Sequence, residues 1–157
     1  MFKKYLIVFL VSMVPLIELR GGVPMALAFN IPAIPAIVIC ALGNMLPVPF
    51  IYLFARKILI WGADRPGIGK LFKAFLVKGE HGGQKLRSAA GRGGLFVALM
   101  LFVGVPLPGT GAWTGTLAAS FLDMGFKTTT LAVMLGVAMA GCIMAVASTG
   151  VFAVLGF

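Results

Sequence analysis

The chain has 157 residues, of which 61% are hydrophobic and only 11% charged, with a formal net charge of +9. A soluble domain carries about 25% charged residues, so this composition excludes one and points to an integral membrane protein. Nine of the thirteen Lys and Arg fall between Arg56 and Arg92; retention of that segment in the cytoplasm accounts for the positive charge, and no nucleic-acid partner is expected.

The chain opens with Lys3-Lys4, followed by thirteen residues without a charge, Tyr5 to Ile17. At 1.5 Å per residue such a run reaches about 20 Å, short of a ~30 Å hydrocarbon core. A signal peptide ending near Ala26-Leu27-Ala28 has the same outline, but a short re-entrant arm agrees better with the rest of the chain. The run overlaps Val14-Pro-Leu-Ile-Glu-Leu-Arg-Gly-Gly-Val-Pro24, which sets Glu18 and Arg20 among apolar residues. A charge at mid-bilayer costs roughly 2.5–3.5 kcal/mol, which makes intramembrane charges candidate site residues. Residues two apart do not face each other on a helix, so each charge needs a partner elsewhere or an unwound backbone. Gly21, Gly22 and Pro24 are expected to supply the unwinding.

Gly21–Ala55 is a 35-residue uncharged run punctuated by Pro24, Pro32, Pro35, Pro47 and Pro49. Asn30-Ile31-Pro32 reads as a turn, dividing the run into a short return arm (21–30) and a span (33–55). Asn44, beside Gly43, is read as an interhelical hydrogen-bonding group. Arg56–Arg92 alone has soluble character. Ile68, Leu71, Phe72, Phe75 and Leu76 form a helical apolar stripe with Lys70 and Lys73 on the other side, an amphipathic helix suited to an anionic membrane surface. Trp61 is read as an interfacial anchor and His81 as a solvated side chain. Cys40 and Cys142 stand singly, without the spacing of a metal or redox site.

Gly93–Leu122 is uncharged for 30 residues but broken at 105–111. Its two arms are too short to span, so a second re-entrant hairpin is expected, its tip buried in protein or lining a wet cavity. Thr128–Phe157 reads as one span, whose Gly136, Gly141 and Gly150 should pack against protein.

Ninety-one positions separate Val14-Pro15-Leu16 from Val105-Pro106-Leu107, and Pro24 falls opposite Gly115. Apolar segments interrupted by Gly or Pro at corresponding places in two halves point to a transporter binding site. The expected fold is an all-α integral membrane protein, an inverted repeat of two re-entrant helical hairpins each followed by a transmembrane helix. It forms a single membrane domain: a first repeat (1–55), a cytoplasmic basic segment (56–92) and a second repeat (93–157). Counting crossings puts both termini, with Lys3 and Lys4, outside, and the basic segment with Lys127 inside. Two full N-terminal spans with Met1 inside are the alternative.

Glu18-Leu-Arg-Gly-Gly-Val-Pro24 and Pro106-Leu-Pro-Gly-Thr-Gly-Ala-Trp-Thr-Gly115 resemble the small multidrug export protein family, and the resemblance covers essentially the whole chain. That family is similar, more distantly, to the DedA superfamily with its two opposed re-entrant hairpins. The resemblance implies a multi-pass protein of the cell (inner) membrane that exports drugs or translocates lipid carriers. It matches Glu18 to the acidic residue of the first hairpin and Pro108-Gly109 to the dipeptide of the second. Where DedA proteins carry a second-hairpin Arg, this chain has Gly111, and its Arg20 sits in the first.

The functional expectation is a small transporter, proton-coupled, moving an amphiphilic or anionic substrate through a mid-membrane site. The candidate residues are Glu18, Arg20, Gly21, Gly22 and Pro24 on one side and Pro106, Pro108, Gly109, Thr110, Gly111, Trp113 and Thr114 on the other. Arg20 suits a phosphate or carboxylate, which its planar fork binds bidentately; Glu18 is the candidate proton carrier; the hairpin tips offer free N–H groups to an anion. No Ser or Cys accompanies the lone His, so neither an enzyme, a cofactor nor a metal is expected. The alternatives are a DedA-like lipid-carrier or phospholipid translocase and a non-transporting structural protein in which Glu18 and Arg20 fix the hairpin geometry. Expected partners are membrane lipids, a small amphiphilic substrate and further copies of the chain, docked through the Gly-rich 128–157 helix.

Overall fold

Proline and glycine decide where the helices of this chain stop. The computed structural model describes residues 2–67 and 94–155, with scattered positions from 69 to 88, and these are helical or in short turns. In order come α1 (Phe2–Met13), α2 (Glu18–Ala28), α3 (Ala33–Met45), α4 (Val48–Phe50), a π-helical segment (Ile51–Ala55) and α5 (Arg56–Ala63). After the basic segment follow α6 (Leu95–Gly104), α7 (Ala112–Phe121) and α8 (Phe126–Leu155).

The first break is Val14-Pro-Leu-Ile17. Pro15 has no N–H to give the ladder, and Leu16 takes a positive φ of 76°. The chain then folds back: Lys4 Nζ donates to the Phe29 carbonyl at 3.1 Å, and Ser12 lies against Gly22. Residues 21–24 do not unwind, contrary to expectation. Gly21, Gly22 and Pro24 lie inside α2. Gly22 serves close approach instead, since a Cβ there would collide with Ser12 Oγ and sit 2.9 Å from Cys40 Sγ. With 12 residues in α1 and 11 in α2, each is about 16–18 Å long. Each falls short of the ~30 Å of a hydrocarbon core.

The turn at Asn30 is as expected, with φ 60° and Ile31 N–H donating to the Ala26 carbonyl at 3.0 Å. The helix that follows passes Pro47, Pro49 and the π segment and continues to Ala63, while its apolar stretch ends at Phe54, as the expected limit at 55 has it. Among the described residues two helical stretches are long and apolar enough to cross a membrane, Ala33–Phe54 and Phe126–Val151. The second break occupies Val105–Gly111, between α6 and α7. Of the amphipathic stripe, Ile68, Leu71, Phe72 and Phe75 lie outside the described residues, and Leu76 is half-buried.

Packing follows the same scheme in both halves. Helix α1 packs on α2 and α3, and α6 packs on α7 and α8. Each second arm also reaches the other half: α2 touches α8, and α7 touches the π segment. The base of the first hairpin adjoins Ala33, whereas Tyr52 meets Phe126, at the base of the second, edge-on with centroids 5.7 Å apart. Ala33 and Tyr52 are about 28 Å apart along a helix, so the α1–α2 pair and the α6–α7 pair adjoin different ends of the first long helix. Small residues fill the crossings: Ala26, Ala36, Ala112, Ala118, Ala132 and Ala140 are buried, as close helix contact in a membrane requires.

Gly136 and Gly141 face protein, as expected, but within the chain. A Cβ on Gly136 would meet the Met100 carbonyl at 2.7 Å, and one on Gly141 would meet Ile37 at 2.8 Å. Gly150 has open surroundings. Gly136→Val should therefore cost about 1–3 kcal/mol by overpacking, because a backbone carbonyl cannot give way as a side chain can. Thermal denaturation in detergent should show a lower midpoint for this variant and an unchanged one for Gly150→Ala.

Candidate functional site

Every helix begins with N–H groups that lack an intrahelical partner. Gly111, at the N-cap of α7, has no side chain to satisfy them. The Glu18 carboxylate does so from the other hairpin. Its Oε2 accepts the Ala112 N–H at 3.2 Å and its Oε1 the Trp113 N–H at 3.0 Å. The carboxylate thus sits at the positive end of the α7 dipole. Glu18 is only 6% exposed, and it takes this position as the first residue of α2, with φ 51°. Trp113 returns the contact: its indole Nε1 donates to the Met13 carbonyl, at the end of α1, at 3.1 Å.

Arg20 lies one α2 position beyond Leu19 and also turns to the second hairpin. Its Nη1 donates to the Leu107 carbonyl at 2.5 Å. Its Nη2 donates to Thr110 Oγ1 at 2.6 Å and to the Val105 carbonyl at 3.3 Å. The Thr110 hydroxyl is itself within reach of the Val105 and Leu107 carbonyls, at 3.0 and 2.9 Å. Val105 is the C-cap of α6, so the guanidinium sits at the negative end of that helix. Both charges are therefore placed by helix ends, and carbonyl oxygens accept from Arg20 as the lack of a second carboxylate suggests. The carbonyls are those of Val105 and Leu107, just before Pro108–Gly111.

Gly111 is the one position whose glycine this contact dictates. Its φ is 145°, and a Cβ there would run into the Glu18 carboxyl, with Cδ at 2.8 Å. A side chain at 111 has no room while Glu18 caps α7.

Of the candidates, Glu18, Arg20, Thr110, Gly111 and Trp113 are brought together. Pro106, Pro108 and Gly109 shape the break that presents the carbonyls; Pro108 and Gly109 are themselves exposed. The Thr114 hydroxyl reaches no further than the Gly111 carbonyl, at 3.5 Å. Gly21, Gly22 and Pro24 do not join the contact; they belong to the body of α2. Groups expected to line a cavity from two sides are bonded to one another across it.

Three carbonyl acceptors, of Met13, Val105 and Leu107, went unforeseen because a backbone oxygen leaves no mark on residue type. Asn44 is the missed side chain. It is 2% exposed, reaches the Glu18 carboxyl from α3, and its Oδ1 has no hydrogen-bond partner among the described residues. Its signal was present: a carboxamide in the middle of an uncharged span.

Residues 18–143, from the capping carboxylate into α8, match the family described as "Putative small multi-drug export protein". No curated protein and no solved structure matches the chain. The match takes in α2, the Val105–Gly111 break and most of both long apolar helices. The chain belongs to the small multi-drug export protein family and is a membrane protein.

Proposed function

We propose that this protein is a small multi-pass transporter of the cell (inner) membrane. Two re-entrant hairpins enter from opposite faces and close on each other over a mid-membrane site for an amphiphilic or anionic substrate. The observation that carries the reading is the cross-hairpin clasp: Glu18 on the α7 amides and Arg20 on the Val105, Leu107 and Thr110 oxygens. These are two charges in an apolar protein, Glu18 buried and Arg20 half-buried, held by groups that a substrate could replace. An incoming phosphate or carboxylate offers Arg20 a better acceptor than neutral carbonyls. Glu18, released from α7, leaves two N–H groups at a helix start, which suit an anion, and carries the coupling proton.

An inverted repeat has support beyond the sequence echo. Ser12 packs on Gly22 and Gly43, and Val103, 91 positions on, packs on Gly115 and Gly136. Gly22 to Gly43 and Gly115 to Gly136 are the same distance apart, 21 residues. The parity that follows puts residues 56–92 in the cytoplasm and the C-terminus outside. Further copies of the chain would complete the wall around so small a site, on the outer face of α8 where Gly150 is open. The competing reading is a purely structural clasp, favoured by the fact that the chain satisfies both charges itself.

Flux into proteoliposomes, with candidate lipids and drugs as substrates, separates the two. Arg20→Lys should lower flux several-fold while the protein stays folded, because one ammonium cannot reproduce a fork that reaches three acceptors. Glu18→Gln should remove any pH dependence of flux. Wild-type flux from the Lys variant, with unchanged pH dependence in the Gln variant, would reduce the clasp to structure. Gly111→Ala should displace Glu18 from α7, lowering both the thermal midpoint and flux. For topology, cysteines introduced at Lys85 and Phe157 should react with impermeant reagent from opposite faces; labelling from one face refutes the parity.

A further inference from the structure

We infer that the outward face of α5 is a binding surface for anionic phospholipid headgroups. Lys57, Trp61 and Arg65 follow one another at intervals of four residues, so they share one side of the helix and the turn that ends it. All three are exposed. The Arg65 guanidinium lies 4.5 Å over the Trp61 ring, a cation–π contact that fixes both side chains. Ile58 and Ile60, 53% and 52% exposed, flank the stripe. Asp64 is exposed beside it, and the face stays net positive.

Its level in the fold suits that ligand. The first apolar span ends at Phe54 after 22 residues, about 33 Å of helix, which fills a ~30 Å hydrocarbon core. Lys57 begins three residues later, and the stripe from there to Arg65 rises about 12 Å, through the headgroup layer. An aromatic ring with one apolar side and one wet side is at home at that depth. The flanking isoleucines can lie against the upper acyl chains while the Lys57 stem reaches up to the phosphates. A guanidinium stacked on a ring keeps its N–H edge for a bidentate phosphate contact. Zwitterionic lipids offer the same phosphate together with a cation that Lys57 and Arg65 repel, so a lipid of net negative charge is preferred. The inference rests on membrane residence and not on the transport reading.

The chain has two tryptophans, Trp61 and Trp113, which makes the surface directly observable. The full chain, labelled with 5-fluorotryptophan and placed in phosphatidylcholine nanodiscs, gives two fluorine resonances, and Trp61→Phe identifies one of them. As phosphatidylglycerol replaces phosphatidylcholine, the Trp61 resonance should shift saturably while that of Trp113 stays in place. The double variant Lys57→Gln/Arg65→Gln should need on the order of tenfold more anionic lipid for the same shift, and about 0.5 M salt should weaken the wild-type response similarly. A Trp61 resonance indifferent to phosphatidylglycerol, or an equal response in the double variant, overturns the proposal.

Discussion

A buried carboxylate that caps a helix belonging to the other half of the molecule is the constraint on which this structure depends. A buried carboxylate needs donors, and a helix start buried in an apolar protein needs acceptors. Each problem solves the other at 3.0–3.2 Å. Arg20 repeats the logic with opposite sign at the end of α6. The two breaks are needed because only a helix end exposes the backbone groups that a buried charge can use. Val-Pro-Leu opens both, and the glycines at the crossings let the arms approach closely enough for the side chains to reach.

The consequence is that the halves are held by polar contacts at their tips and by apolar packing along their arms. Along the arms the contact is apolar, as where Gly141 of α8 meets Ile37 and Leu19. At the tips it is charged and directional. Hydrogen bonds to charged groups contribute about 1.5–3 kcal/mol each, so the tip contact fixes the register of the hairpins even though apolar packing occupies more surface. Trp113 ties the same tip to the end of α1, which joins both arms of the first hairpin to the second.

Much of this was legible in the sequence. Charge in an apolar run singled out Glu18 and Arg20; their spacing denied them each other; proline placed the second break and the turn at Asn30. The error lay at Gly21–Pro24, where glycine was taken as a mark of unwinding. In a helix packed on two others glycine is equally the mark of a crossing, and Ser12 and Cys40 on either side of Gly22 make it one. Residue type does not distinguish the two uses; the neighbours do. Asn44 was seen as a hydrogen-bonding residue, but its partner lies 26 positions away across a fold that the sequence alone did not supply. The carbonyls that hold Arg20 were beyond reach for a simpler reason, since every residue has one.

The closed clasp also bears on how the protein could move. Opening it leaves a carboxylate, a guanidinium, two amide N–H groups and several carbonyls without partners, in surroundings where water does not replace them cheaply. An opening without compensation is therefore rare. Compensation has to match both ends at once: an acceptor for Arg20 and the α7 amides, and either a proton or a donor for Glu18. An anionic headgroup arriving with a proton meets both demands, and a neutral hydrocarbon meets neither. Asn44, whose amide can donate to a carboxylate or accept from an acid, stands where it can serve Glu18 in either state. On the transport reading, the selectivity of the site thus lies in the cost of undoing the clasp, a cost that only a substrate of complementary charge offsets.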